Sequence, residues 1–495
     1  MYQIDFNKPE HVHFIGIGGI SMSGLAEILM DEGFTVSGSD AHKSELTEHL
    51  EAKGAKIFYG QKAENIIDGI HVVVYTAAVH PDNPEFAAAV EKGLPILTRA
   101  ELLGQMMKNY QYAVGISGTH GKTTTTSMVT EILLAADADP TISVGGILNS
   151  IGGNIRVGGS ELFVTEACEY TNSFLSFFPN REVILNIEAD HLDFFKDIDD
   201  IRHSFRLFAQ KLPKDGLLVI NSDIDRYEEI VDGLECRIVT CGKRTDSNYR
   251  AEDITYDHFA RAAFRLMIDG QDAGEITLGV PGEHNVYNAL AAIALCRDLG
   301  IDMEHIRAGL KKFTGTNRRF EKKGEIGGVT IIDDYAHHPQ EIAATLAAAK
   351  NYPHKKLWCV FQPHTYTRTK AFLDEFAEAL SAADATLGAG VAHSLALFYR
   401  AAAQHRAQTV RLHAQDRLGA NLHALAAAAA LFGINVHQTV RNRDRTELAD
   451  PCAGAQPQAG VFAGLVAAGG QEHGAALHQA LVFVFDLAVI LIALT

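Results

Sequence analysis

Gly115-Ile116-Ser117-Gly118-Thr119-His120-Gly121-Lys122-Thr123 is the stretch on which the fold turns. The apolar run at 112–116 reads as a buried strand, and 124–136 has the spacing of a helix, so the glycines fall at a strand-to-helix turn. Backbone N–H groups in such a turn approach phosphate oxygens closely because no Cβ intervenes. Gly118, Thr119, His120, Gly121 and Thr124 form the expected ATP loop, Lys122 reaches the outer phosphates, and the Thr123 hydroxyl stands where Mg²⁺ is bound. The spacing departs from the general template, since Gly118 precedes Gly121 by only three residues; a loop of standard length has to begin at Gly115 or Ser117. A glycine turn with an incidental lysine is the bland alternative.

Outward from this loop, strands are expected at 162–166, 183–187 and 217–221, with a helix at 285–298. Glu166 ends the first of these strands and His191 follows the second, within N-I-E-A-D-H-L-D. Strand ends of a doubly wound sheet converge on one crevice, where a carboxylate and an imidazole suit a divalent ion bridging phosphates. Before the loop, a strand at 11–17 runs into Gly16, Gly18 and Gly19, a helix follows at 21–32, and Asp40 closes the next strand. This imitates a dinucleotide fingerprint, but Ser21 stands near where its third glycine is expected. Further elements at 57–59, 71–76, 84–92 and 96–98 complete a first unit. After Gly315, strands at 329–333 and 357–361 flank a helix at 339–350. The expectation is an α/β chain of three domains: 1–108, 109–314 and 315–495.

A formal net charge of -18 over 495 residues argues against a protein that coats nucleic acid, so any phosphate site must be local. Six scattered cysteines without a C-x-x-C pair fit a reducing compartment, and no signal peptide is legible at the N-terminus; a cytoplasmic protein is expected. The apolar run 481–495 carries Asp486 and is shorter than a bilayer span of about 20 residues, leaving a membrane anchor as a minor reading.

G-T-H-G-K-T-T-T, E-A-C-E-Y, N-I-E-A-D-H-L-D, H-N-V-Y-N-A, N-R-R-F-E, D-D-Y-A-H-H-P and Q-P-H-T-Y-T-R-T, in this order, closely resemble the Mur ligases over about residues 11–385. G-I-G-G-I-S-M-S-G and D-D-Y-A-H-H-P look like the alanine-adding branch. The resemblance implies a Rossmann-like N-terminal domain, a central P-loop ATPase domain and a Rossmann-like C-terminal domain. It also implies ATP-dependent joining of L-alanine to UDP-N-acetylmuramate through an acyl phosphate, in peptidoglycan precursor synthesis. Carried over by residue, Lys122 holds the β- and γ-phosphates, while Thr123, Glu166 and His191 bind Mg²⁺. Asn285 and Asn288 face the adenine, and Arg319 and Asp334 contact the γ-phosphate and ribose. Tyr335, His337, His364 and Arg368 line the amino-acid site. Gly16, Gly18, Gly19, Ser21, Asp40, His80 and Arg99 hold the UDP-sugar, with Ser23 as a further donor. Sister ligases carry a carbamylated lysine after the metal histidine; here that place falls at Phe205. Two plainer readings stay open: His337 and His338 as caps of a helix at Pro339, and Arg368 as a solvated cation. At the level of function the alternatives are a sister ligase adding a preformed peptide and a nucleotide-binding protein without ligation.

Beyond Gly388 the chain has no lysine and becomes rich in alanine, glutamine and histidine. The family pattern is expected to stop near Ala385, the remainder being a frame error or foreign fusion, with a divergent but genuine domain end as the alternative. Strands 329–333 and 357–361 would then lack sheet neighbours.

Overall fold

The computed structural model describes residues 2–76, 78–326, 329–361, 366–388 and 489–494. They form two compact units: residues up to Asn317 apart from His258–Ala260, and His258–Ala260 with the chain from Arg318 onward.

The first unit holds two sheets. In the N-terminal one, β1 (His11–Ile15), β2 (Thr35–Asp40), β3 (Lys56–Tyr59), β4 (Val72–Tyr75) and β5 (Ile96–Thr98) are all parallel in the order β3-β2-β1-β4-β5. The order reverses between β1 and β4, which opens the crevice of a doubly wound sheet beyond the end of β1, where Gly16 lies. The second sheet contains β6 (Tyr112–Ser117), β7 (Thr141–Leu148), β8 (Gly153–Arg156), β9 (Leu162–Glu166), β10 (Arg181–Ile184), β11 (Leu217–Asn221), β12 (Arg237–Cys241), β13 (Tyr249–Tyr256), β14 (Arg261–Ile268) and β15 (Gln271–Pro281). Its order is β15-β14-β13-β12-β11-β10-β6-β9-β7-β8. The strands from β12 to β7 are parallel, with β11, β10, β6 and β9 largely buried, whereas β13–β15 and the β7–β8 hairpin are antiparallel. The antiparallel strands escaped the sequence reading, although Arg261–Ile268 does alternate between core and surface.

These two sheets are not separable layers. One apolar cluster runs from Val12, Phe14 and Leu25 through Leu102 and Met106 to Phe163, Phe174, Phe205 and Phe208. Helix Arg99–Met107 lies so close to the segment Tyr170–Ser176 that a Cβ on Gly104 would meet the Ser176 carbonyl oxygen at 1.9 Å; only glycine fits there. Phe205, which occupies the place of the sisters' modified lysine, is fully buried and meets Phe174 edge-to-face at 5.3 Å. An apolar ring there serves the core.

The second unit is built on β16 (Glu321–Ile326), β17 (Val329–Asp334), β18 (Lys356–Phe361), β19 (Ala385–Gly388) and β20 (Val489–Leu494). Their order is β16-β17-β20-β18-β19. β20 runs antiparallel to β17 and β18, and β19 is parallel to β18. The expectation that strands 329–333 and 357–361 lack neighbours is therefore overturned. Val489–Leu494 is a six-residue apolar segment that pairs on both sides, which removes two open edges at once. The other expectations for 389–488 lie outside the described residues. Helix Pro339–Lys350 and helix Leu373–Leu380 cover the sheet through Ile342, Leu346, Phe376 and Leu380. Among the described residues no helix is long and apolar enough to cross a membrane.

Candidate active site

The carboxyl ends of β9, β6 and β10 lie side by side, because Ile116 of β6 is in register with Glu166 of β9 and Ser117 with Ile184 of β10. This register brings Glu166 beside the phosphate loop. The loop proper starts at Gly118: Gly115 is mid-strand, and the buried Ser117 hydroxyl donates to the Val183 carbonyl at 2.8 Å. Helix Lys122–Ala135 begins two residues earlier than the sequence suggests. Its N-cap, Gly121, has φ +85° and no capping side chain, so the first turn faces outward as an anion site. A Cβ on Gly121 would also meet the Asn288 Oδ1 at 2.6 Å.

Asn186, which the sequence reading passed over, pins this loop. Its Oδ1 accepts from the His120 N–H at 2.7 Å, its Nδ2 donates to the His120 carbonyl at 3.0 Å, and its carbonyl accepts from the Thr119 N–H at 3.2 Å. Thr119 in turn accepts the Glu188 N–H on its hydroxyl at 3.0 Å.

Lys122 bends back over the loop, donating to the Gly118 carbonyl at 2.5 Å and the Thr119 carbonyl at 3.2 Å. Its third partner is the Glu169 carboxylate at 2.9 Å. Burial pulls the ammonium pKa down, but the charge and hydrogen bond of Glu169 together with Cys168 and Glu166 more than offset it, and the group is held above its ordinary value. Glu169 is the second missed residue. Its signal was the second glutamate of E-A-C-E-Y, three residues after the chosen one. Glu166 accepts from the Thr123 hydroxyl at 3.1 Å and from the Gly145 N–H. His191 Nε2 lies 3.8 Å from both Glu169 Oε1 and Asp190 Oδ2.

This cluster fits a divalent ion. Glu169 Oε1 is buried without a hydrogen-bond partner, and the surrounding donor set is hard oxygen plus one imidazole. Thr123, Glu166 and His191 are thus brought together as expected, with Glu169 added. Asn285 and Asn288 are buried near the same loop: Asn288 donates to Asn285 Oδ1 at 3.0 Å, and Asn285 to the Pro281 carbonyl at 2.7 Å.

At the first sheet, Ser39 accepts on its carbonyl from the Gly16 N–H at 2.9 Å and the Ile17 N–H at 3.0 Å, and Asp40 Oδ2 accepts from Gly18 at 2.8 Å. Asp40 therefore shapes the turn. Gly19 opens helix Ile20–Asp31 without a side-chain cap, leaving its first N–H groups as an anion site. Arg99 donates to the Ser21 hydroxyl at 3.0 Å, and burial lowers its pKa. Ser23 is not a free donor as expected: it is buried and its hydroxyl is spent on the Ile20 carbonyl at 3.0 Å, an intrahelical bond. His80 is exposed, and its carbonyl accepts from Asn83 at 3.0 Å.

In the second unit, Asp334 is buried and accepts from the Phe320 N–H at 2.9 Å and the Ala336 N–H at 2.8 Å. Burial pushes its pKa up to about 6 against the pull of Arg319 and of those two bonds. Arg319 lies over the Tyr335 ring at 5.4 Å and 3.8 Å from Glu341. His337 Nδ1 sits 2.8 Å from the Tyr335 carbonyl, an acceptor only, so Nδ1 donates there and Nε2 is the ring nitrogen this bond leaves unused. His338 is the helix cap, its Nδ1 facing the Gln340 N–H at 3.4 Å; the plainer reading holds for His338. Arg368 is on helix Tyr366–Ala371 and half-buried. His364 lies outside the described residues.

Comparison with known proteins bears on this arrangement. Three family models match: "Mur ligase family, catalytic domain" over 11–111, "Mur ligase middle domain" over 116–296 and "Mur ligase, glutamate ligase domain" over 318–463. The last runs past Ala385, where the resemblance was expected to stop. The UDP-N-acetylmuramate–L-alanine ligase of Lachnospira eligens is 66% identical over 385 residues, covering 78% of this chain and 84% of that one. The enzyme of the same name from Agathobacter rectalis is 63% identical over 391 residues, covering 79% and 85%. Among solved structures, the UDP-N-acetylmuramate-alanine ligase MurC of Thermotoga maritima has a TM-score of 0.66 at 32% identity, covering 81% of this chain and 90% of that chain. With relatives of this identity and coverage, and a glycine loop set against Glu166, Glu169 and His191, the chain belongs to the Mur ligase family.

Proposed function

We propose that the chain joins L-alanine to UDP-N-acetylmuramate at the expense of ATP, in the synthesis of the peptidoglycan precursor in the cytoplasm. The observation that carries this reading is Lys122, half-buried at the mouth of an uncapped helix beside Glu169, Glu166 and Thr123. Close relatives named for L-alanine support that amino acid over a preformed peptide. The division 1–108, 109–314 and 315–495 is our own: each sheet falls within one part.

Forming an amide from a carboxylate requires a leaving group. The muramyl carboxylate attacks the γ-phosphorus of ATP, ADP departs, and an acyl phosphate remains. Lys122 lies where charge builds on the transferring group, and an ammonium in a desolvated site stabilises it far more than in water. Thr123, Glu166, Glu169 and His191 would hold Mg²⁺, which supplies fixed positive charge against the phosphate oxygens. The neutral amine of L-alanine then attacks the acyl carbon, and phosphate leaves. Arg368 binds the alanine carboxylate. His337 takes the amine proton on Nε2, the nitrogen left unused by the Nδ1 bond to Tyr335. Gly16, Gly18, Gly19, Ser21 and Arg99 receive the diphosphate of the sugar nucleotide.

ADP release by the full chain with UDP-N-acetylmuramate and L-alanine tests the reading, a tripeptide being the competing acceptor. Lys122→Ala is expected to lower kcat by about 10²–10³-fold with the fold intact. A variant that kept most of its kcat would remove Lys122 from the mechanism, and preference for the tripeptide would move the chain to a sister activity.

A further inference from the structure

We propose that Tyr170 is a positioning residue for His191, acting through the stack of its ring on the imidazole. The Tyr170 ring is stacked on the His191 imidazole, centroids 4.4 Å apart and planes 28° from parallel. Its hydroxyl donates to Asp193 Oδ2 at 2.9 Å, and the Phe194 ring meets it edge-on at 6.2 Å. His191 itself has φ +52°, and its N–H donates to Asp190 Oδ1 at 2.7 Å. Backbone and ring plane are thus each set by a different neighbour, Asp190 and Tyr170.

Glu169 and Tyr170 are consecutive, so one short segment presents a carboxylate to Lys122 and a ring to His191. That segment is built at some cost. Thr171 and Asn172, neither a glycine, have φ of +54° and +57°. Each such residue costs about 1 kcal/mol or more and persists only where the surroundings impose it. Here the surroundings are Phe174, fully buried and stacked on Phe208 at 4.5 Å, and the Ser173 hydroxyl, which donates to the Cys168 carbonyl at 2.9 Å. Tyr170 remains 38% exposed. A ring this open adds little to the core, so a strained backbone that holds it over an imidazole serves the orientation of that imidazole.

The inference rests on His191 as a ligand of the divalent ion, and the test separates the two. Mn²⁺ is titrated into the full chain with ADP present and followed by its EPR signal, for the wild type, His191→Ala, Tyr170→Ala and Tyr170→Phe. Tyr170→Ala is expected to weaken Mn²⁺ by about tenfold, the scale for groups that orient a metal ligand, with the thermal midpoint unmoved. Tyr170→Phe keeps the stack and restores most of the affinity. In the metal-free protein, loss of the Tyr170 ring current shifts the His191 Cε1 proton downfield. Wild-type Mn²⁺ affinity in Tyr170→Ala with a loss in His191→Ala overturns the positioning role alone. Unchanged affinity in His191→Ala overturns the ligand reading and this one with it. A Phe variant no better than Ala also overturns it.

Discussion

Lys122 Nζ lies 2.9 Å from Glu169 Oε2, and both side chains are largely removed from water, at 15% and 3% exposure. The charge of Lys122 is thus already paired. In the proposed function a nucleotide competes with Glu169 for Lys122, and a divalent ion that engages the Glu169 carboxylate frees the ammonium for phosphate. On that reading the Lys122–Glu169 pair couples metal to nucleotide.

That coupling gives the first prediction. Glu169→Gln removes the competing charge, so metal-free ATP should bind more tightly, by about tenfold or about 1.4 kcal/mol, while the gain on adding Mg²⁺ shrinks. Calorimetry with ATP in EDTA, then in Mg²⁺, reads both. Weaker binding of metal-free ATP would show that Glu169 supports the loop rather than competing with phosphate.

Gly121→Ala tests the loop geometry. A Cβ at φ +85° is strained, and it would stand 2.6 Å from Asn288 Oδ1. Relief requires either the loop or Asn288 to move, and both face the nucleotide in the proposed function. Affinity for ATP should fall at least tenfold, whereas UDP-N-acetylmuramate affinity stays. Asn288→Ala in the same background should restore part of the loss, and fluorescent-nucleotide titration of the double variant checks this.

The phosphate loop and Glu166 were legible because strand, loop and helix each have a local signature, and parallel register then carries β9's end to the loop. Glu169 was not. Its side chain reaches Lys122 through a segment with two left-handed non-glycine residues, which no periodicity announces. Asn186 was missed because a side chain that ties down backbone looks like any loop asparagine. β20 was misread for a different reason. Its partners β17 and β18 lie more than a hundred residues earlier, and pairing over that distance leaves no mark on six apolar residues.

Asp334 gives a pH dependence. Its folded pKa of about 6 exceeds its ordinary 3.8, chiefly through burial, so between these values the folded state binds more protons than the unfolded. Stability of the second unit must then fall as pH rises from about 4 to about 6, by at most about 3 kcal/mol for this group, and be level above. Asp334→Asn should flatten that slope. Urea titrations at several pH values, followed by Trp358 fluorescence, provide the measurement; an unchanged slope in the variant would assign the dependence to other groups.

Trp358 is the one tryptophan of the chain, on β18 and in register with Ile492 of β20. Its emission therefore reports on the junction that the sequence reading expected to be empty. Leu491 is the backbone partner of Ile332 on one side and Cys359 on the other, so β20 is an inner strand at that point. Proline there removes an N–H from the ladder and fixes φ, which inner strands do not tolerate. Leu491→Pro should red-shift the Trp358 emission and lower the unfolding midpoint of the second unit. The loss is at least the about 1 kcal/mol of one ladder bond, and more once the edges of β17 and β18 open. A solvent-facing control, Lys356→Ala on β18, should leave both readings near the wild type. If Leu491→Pro behaved like that control, β20 would contribute nothing to the sheet, and the expectation of unpaired strands at 329–333 and 357–361 would stand again.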